Sequence, residues 1–304
     1  MGSDNIKVVV TGASGLLGRA VVKEVVKRGH TVIGTAFSRA GFGLEKLDLK
    51  DATAVTQFMK HYRPQAVIHC AAETRPDFAE RDKAAAELLN VKVPGHLAEL
   101  SKDLGAFFVY ISTDYVFDGT QPPYKIGDTP NPLNFYGYTK FAGEQAVSAA
   151  NPHAAILRVP VLYGMSDNPK EGSINVLVNL IRGTQPAKVD DVQPRFPTCT
   201  DDVARVLLDM VNMGIGSKHN LVKGIFHFSA KEKMTKYEIC QDFARILGID
   251  MQNKILPIKE KPVEPVASRP DNCELSTEAL EHIGISVNYV PFHEWWSFYL
   301  KQHK

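Results

Sequence analysis

The stretch Ile6-Lys7-Val8-Val9-Val10-Thr11-Gly12-Ala13-Ser14-Gly15-Leu16-Leu17-Gly18 decides the fold. Ile6 to Val10 is a short apolar run rich in β-branched side chains and reads as a buried strand. From Leu16 to Lys27 apolar residues fall at 17, 21, 22, 25 and 26, a helical spacing that stops at Gly29. The glycines at 12, 15 and 18 allow a tight turn, close approach of backbone to a pyrophosphate, and close helix–strand packing. The first turn of the helix presents unpaired N–H groups to the same phosphates. The spacing is G-x-x-G-x-x-G rather than G-x-G-x-x-G, and a glycine triplet alone is often only a turn. Between a strand and a helix it predicts a dinucleotide site, with Gly12, Ser14, Gly15, Leu16, Leu17 and Gly18 around the phosphates.

The next strands speak to the cofactor. Thr31 to Ala36 reads as the second strand, and a site selective for NAD usually places Asp or Glu near its end. Here Phe37-Ser38-Arg39 stands there instead, so Ser38 and Arg39 are expected to meet a 2′-phosphate and the cofactor to be NADP(H). The competing reading makes Arg39 a solvated loop charge and leaves either cofactor usable. Asp48 and Leu49, at the end of a third strand, would flank the adenine. Ala71, Ala72 and Glu73, after the strand Ala66 to Cys70, would pass beneath the cofactor.

Strand and helix signals alternate to about residue 164. Strands are expected near 6–10, 31–36, 45–49, 66–70, 106–112 and 155–161, and helices near 16–28, 51–62, 83–103 and 135–149. That alternation predicts an α/β fold, a doubly wound parallel Rossmann sheet. Beyond it the periodicity weakens. Residues 165–195 are expected to hold a helix, Ser173–Arg182, and a polar loop; helices are also expected over Asp201–Met213 and from Met234 to Leu247 with Thr235 as N-cap, a strand over Gly224–Phe228, and a loop over Pro257–Pro270. The partition is therefore a dinucleotide-binding domain over 1–164 and a smaller substrate lobe over 165–304, interleaved with it.

The chain has 304 residues and a net charge of +1, so neither nucleic acid nor an anionic membrane is an implied partner. No run approaches 18 consecutive apolar residues, the start Met1-Gly2-Ser3-Asp4-Asn5 carries no signal-peptide pattern, and a cytoplasmic setting is expected. The four cysteines, 70, 199, 240 and 273, lack metal-ligand spacing, so no metal site is expected.

Tyr136-Gly137-Tyr138-Thr139-Lys140 adds chemistry. Four apart, Tyr136 and Lys140 share a helix face. An ammonium beside a phenol favours the phenolate and lowers a pKa that is otherwise about 10. Tyr136 would pass its proton to a substrate oxygen, Thr113 at the end of the run Phe107 to Ile111 would hydrogen-bond that oxygen, and Lys140 would also hold the nicotinamide ribose. Tyr138, two residues from Lys140, points elsewhere. Alone the pair is an ordinary surface contact; with the glycine loop and Thr113 it predicts hydride-transfer chemistry on a carbonyl.

These residues resemble the extended short-chain dehydrogenase/reductases over nearly the whole chain, and within them the dTDP-4-dehydrorhamnose reductase branch. The resemblance rests on Ser112 to Gly119, Tyr136 to Lys140, Leu157-Arg158, Leu162-Tyr163-Gly164 and Arg269-Pro270. The branch also includes regulatory β subunits of methionine adenosyltransferases, which are similar in His69 to Glu73, Arg75-Pro76-Asp77, Arg195 to Thr198, Gly224 to His227 and Met234 to Glu238. The resemblance implies one of two roles: an NADP(H)-dependent reductase of a 4-keto nucleotide sugar, or an NADP-binding subunit whose partner is a methionine adenosyltransferase catalytic subunit.

Other candidates are weaker. Arg195, Arg269 and Lys125 suit substrate phosphates, or equally structural ion pairs. Asp114 and Tyr115 follow Thr113 and would border the substrate. His69 would line the cofactor cleft or make a strand-end hydrogen bond. Asn90 either holds a water behind the site, in the proton path, or makes a structural hydrogen bond. Trp295 and Trp296 either stack on a base, or one of them packs the last helix onto the core.

Overall fold

The computed structural model describes residues 5–302 apart from 42, 167, 169, 217, 218, 253 and 261–266. Seven strands form one parallel sheet: β1 (Lys7–Thr11), β2 (Thr31–Ala36), β3 (Glu45–Lys46), β4 (Ala66–His69), β5 (Phe107–Thr113), β6 (Ala155–Val159) and β10 (Gly224–His227). Their order is β10-β6-β5-β4-β1-β2-β3. The order reverses between β1 and β4, which leaves a crevice beyond the carboxyl ends of those two strands. Side chains alternate between two cores. Val8, Val10, Ala66, Ile68, Val109, Ile111, Ala155 and Leu157 enter one, while Val9, Val67, Phe108, Tyr110 and Ile156 enter the other. Burial on both faces is why these strands read as unbroken apolar runs.

The first core is covered by α1 (Leu16–Lys27) and α8 (Thr200–Ile215), the second by α2 (Ala52–Tyr62), α5 (Val93–Asp103) and α6 (Phe135–Ala150). Thus β10 and α8, from beyond residue 164, complete the sheet and one of its covers. The short helix α10 (Glu278–His282) packs Leu280 into the first core, and the remainder forms a second lobe from β7 (Leu162–Tyr163), α7 (Asn175–Arg182), β8 (Ala187–Asp190), β9 (Thr198–Cys199), α9 (Lys236–Leu247), β11 (Ile255–Ile258) and α11 (Phe292–Gln302). Its separate core gathers Tyr163, Ile181, Phe243, Phe292 and Trp296, with Trp296 fully buried and Trp295 stacked on Tyr299. Thr235 caps α9 in a reciprocal box with Glu238.

Four local expectations need correction. The third strand ends at Lys46, because Asp48 turns its carboxylate to the Lys50 N–H, 3.0 Å away, and Asp51 then caps α2. The rest of 165–195, expected as a polar loop beside the helix, contains β8, which pairs with β11, and β11 contains Pro257 where a loop was expected. Strands this short, in a two-stranded sheet, leave little alternation to read. Residues 261–266 of the expected loop lie outside the described residues.

The expected helix over 83–103 is the fourth. It breaks into α4 (Lys83–Glu87), a π-helical turn over Leu88–Lys92 and α5, and a short helix α3 (Pro76–Arg81) precedes it. Pro94 explains the wide turn. It has no N–H to give the carbonyl of Asn90, four residues back. That carbonyl instead accepts the hydroxyl of Tyr110 at 3.1 Å.

Candidate functional site

The glycine loop leaves β1 and enters α1 at the crevice. Gly12 has φ +65°, and a Cβ there would lie 2.8 Å from the backbone nitrogen of Ala71, so only glycine lets the loop pass the end of β4. A Cβ on Gly18 would overlap the Gly12 carbonyl. Gly15 is the N-cap of α1 and contributes no side-chain cap, so the first-turn N–H groups are left for a ligand. Ser14 and Leu16 are half-buried and Leu17 is buried in the core. Across the crevice, Thr11 Oγ1 meets His69 Nδ1 at 2.7 Å, and burial lowers the His69 pKa to about 3. The site therefore fits a dinucleotide: a loop without side chains at its closest approaches, aimed by a helix N-terminus.

The β4 side is held by Asn90. Its Oδ1 accepts the Glu73 N–H at 2.9 Å, and its Nδ2 donates to the Glu73 carbonyl at 3.0 Å and to Thr139 Oγ1 at 3.1 Å. Both amide hydrogens are spent, so Asn90 is a clamp between the Ala71-Ala72-Glu73 segment and α6, the structural alternative of the sequence reading. The Glu73 carboxylate faces away to Arg75, in a fork at 2.8 and 2.7 Å. Asp48 is half-buried in its turn, and Leu49 packs beside the core cluster of Val55 and Met59.

Thr113, Tyr136 and Lys140 come together at the ends of β5 and α6, all buried. Asn134 caps α6 by accepting the Gly137 N–H at 2.8 Å, and Gly137 lets the helix close on the Tyr115 carbonyl. The Thr113 hydroxyl lies against the Tyr136 phenol and donates to Asp114 Oδ1 at 3.0 Å. Burial holds the phenol well above its usual range, with Thr113 opposing. This departs from the expected lowering by Lys140. The lysine ammonium is turned instead to the Ile111 carbonyl, 2.6 Å away, and over the Tyr110 ring at 4.0 Å, and burial brings its own pKa down to about 7. Asp114 is pushed up to about 7 by burial, partly offset by Arg195. Tyr115 packs edge-on against Tyr136, and Tyr138 is exposed.

The arginines expected at the substrate are already bound within the chain. Arg195 donates to the carbonyls of Pro194, Pro270 and Asp271 and to Gln193 Oε1, all within 3.3 Å. Arg269 is paired with Asp77 at 2.7 Å and with the Ala267 carbonyl, fixing that segment to α3. Lys125 is exposed, 3.9 Å from Glu278. After β2, Ser38 is exposed, and Arg39 lies 3.2 Å from Glu171.

Two features escaped the sequence reading. Ser112 Oγ, Glu144 and Arg158 form a buried chain, with Arg158 Nη2 2.6 Å from Glu144 and Nη1 3.3 Å from His227. The signal was a charged pair inside an apolar strand and an apolar helix face. Arg19, directly after Gly18, also reaches Glu171, at 2.5 Å. A cation in the first turn of the dinucleotide helix, next to the last glycine, could have marked it.

The model of the RmlD substrate binding domain family matches residues 6–295. Methionine adenosyltransferase 2 subunit beta of Danio rerio is 42% identical over 94% of this chain and 87% of its own length. A probable low-salt glycan biosynthesis reductase of Haloferax volcanii is 30% identical over 90% of each chain. Among solved structures, a dTDP-4-dehydrorhamnose reductase of Clostridium acetobutylicum superposes with TM-score 0.85 at 32% identity, covering 98% of this chain and 99% of its own. A Bacillus anthracis dTDP-4-dehydrorhamnose reductase in complex with NADP gives TM-score 0.84 at 26% identity, with 98% and 99% covered. The chain belongs to the RmlD substrate-binding-domain family of extended short-chain dehydrogenase/reductases.

Proposed function

We propose that this chain is an NADP(H)-binding regulatory subunit of the β type, whose partner is a methionine adenosyltransferase catalytic subunit. The observation that carries this reading is the 42% identity to subunit beta over 94% of the chain, against 30% to the glycan reductase. The geometry supports it. Gly12, Gly15, Gly18 and the first turn of α1 would hold the pyrophosphate, Ser38 and Arg39 the 2′-phosphate, Asp48 and Leu49 the adenine, and Lys140 the ribose. On the substrate side, Arg195 and Arg269 make bonds within the chain, to the carbonyls of Pro270 and Asp271 and to Asp77. The test is gel filtration with a purified methionine adenosyltransferase catalytic subunit. Co-elution and an altered rate of S-adenosylmethionine formation are expected; separate elution overturns the reading.

The juxtaposition of Thr113, Tyr136 and Lys140 favours a second reading, reduction of a 4-keto nucleotide sugar. When bound, NADPH would supply the hydride. Tyr136 would give its proton to the substrate oxygen, Thr113 would fix that oxygen, and Asp114 and Tyr115 would border it. Here residues 1–164 carry the cofactor and residues 165–304, interleaved with them, supply the substrate wall. Oxidation of NADPH by dTDP-4-dehydrorhamnose, followed by absorbance, is the check; no turnover at saturating substrate ends this reading.

A further inference from the structure

Arg19, in α1, and Arg39, after β2, converge on one carboxylate, that of Glu171. Arg19 grips it with both terminal nitrogens, Nη1 to Oε1 at 3.3 Å and Nη2 to Oε2 at 2.5 Å, and Arg39 Nη1 reaches Oε1 at 3.2 Å. Ser166 Oγ donates to Oε2 at 2.7 Å. The other terminal hydrogens of Arg19 go to the carbonyls of Ser14, at 2.7 Å, and Met165, at 3.1 Å. A guanidinium has four terminal hydrogens, so all four on Arg19 are taken, two of them by Glu171. An anion can engage the fork of Arg19 only by taking Glu171's place.

Two guanidinium groups and a hydroxyl around one carboxylate are also the donor set that recognises a phosphate monoester. The place is telling. Through Ser14 it adjoins the glycine loop, and through Arg39 it adjoins the end of β2, where a dinucleotide site distinguishes a 2′-phosphate from a 2′-hydroxyl. Resting on the cofactor reading above, we propose that Arg19 and Arg39 together form the 2′-phosphate site and that Glu171 is a built-in competitor for it. Glu171 then limits how strongly the chain prefers NADP(H). A phosphate monoester, with nearly two negative charges, displaces the single charge of Glu171. NADH carries no such group and leaves the Arg19–Glu171 pair intact.

The test is calorimetric titration of the full chain with NADPH and with NADH, in the unmodified protein, Glu171→Gln and Arg19→Gln. Glutamine keeps the size of Glu171 and removes its charge. NADPH is expected to bind about five- to tenfold more tightly to Glu171→Gln, the sum of two partly exposed ion pairs no longer in competition, and NADH within about twofold of the unmodified protein. Arg19→Gln is expected to weaken NADPH by about tenfold or more and to spare NADH. A Glu171→Gln protein that binds NADPH no better, or worse, overturns the competition and makes Glu171 a support for the arginines. Glu171→Ala, which can make no hydrogen bond to either arginine, must then agree in direction. If the unmodified chain binds neither nucleotide, the cofactor reading itself falls. If it binds NADPH over NADH and only the Glu171 variants fail, the competition alone is lost.

Discussion

Gly12 stands in the left-handed region, with the Ala71 backbone 2.8 Å from where a Cβ would be. Gly12→Ala adds about 1–2 kcal/mol of backbone strain and a collision with backbone. It is expected to lower the melting temperature by several degrees and to abolish NADPH binding, both read by thermal shift with and without NADPH. Lys140 gives a prediction of opposite sign. Burial brings its folded-state pKa to about 7, while the unfolded chain has the usual value of about 10.4. Between those values the unfolded chain binds the extra proton, so the native state gains stability as pH rises from about 7 to 10, and carries the full cost of desolvation below 7. In Lys140→Met this dependence vanishes. Relative to the unmodified protein, the variant should be more stable at pH 7 and lose that advantage by pH 10, checked by urea unfolding across the range. At this scale the sequence marked the glycines, Tyr136, Lys140 and Thr113 by residue type and spacing, and the structure buries Tyr136, Lys140 and Thr113 together. It did not show which way Lys140 turns, since the Ile111 carbonyl that attracts it is a property of the folded strand end.

Asn90 shows how one element's irregularity serves the site. Pro94 removes the N–H that would have capped the Asn90 carbonyl, the helix widens, and Asn90 turns its amide to Glu73 and Thr139. Asn90→Ala leaves the part-buried Glu73 N–H and carbonyl without this partner, while Thr139 keeps its bond to the Tyr136 carbonyl, at a cost of about 1–3 kcal/mol, and loosens the segment Ala71-Ala72-Glu73. The expected result is a lower urea midpoint together with weaker NADPH binding; a lower midpoint with unchanged affinity would remove Asn90 from the site. The Glu144–Arg158 pair ties α6 to β6 at 2.6 Å, with both side chains almost fully buried. Glu144→Ala strands a buried guanidinium and should cost about 3–5 kcal/mol, again read from urea unfolding. Regular elements were legible wherever both faces of a strand or one face of a helix were apolar. The π turn was visible only in Pro94, and β7, β8, β9 and β11 were too short to have a pattern. The internal satisfaction of Arg195 by carbonyls some 75 positions away could not be read from spacing at all.

At the scale of the molecule, one sheet carries the crevice beside the glycine loop and a separate core carries the second lobe, with α8 and β10 returning to the first. Chain reversals of this kind explain why alternation to residue 164 suggested a boundary while the sheet draws on residue 227. The same architecture serves reductases and subunit beta proteins, so fold alone does not choose between them. What distinguishes the two is whether the apparatus of Thr113, Tyr136 and Lys140 is used, or whether the cofactor is held while the outer surface meets a partner. The most direct measurement is gel filtration with light scattering of this chain mixed with a methionine adenosyltransferase catalytic subunit, in the presence of NADPH, with NADPH oxidation by dTDP-4-dehydrorhamnose followed on the same preparation. The account predicts a stable complex and no oxidation above background. Two separately eluting proteins, with rapid oxidation that Tyr136→Phe reduces by about a hundredfold or more, would contradict it.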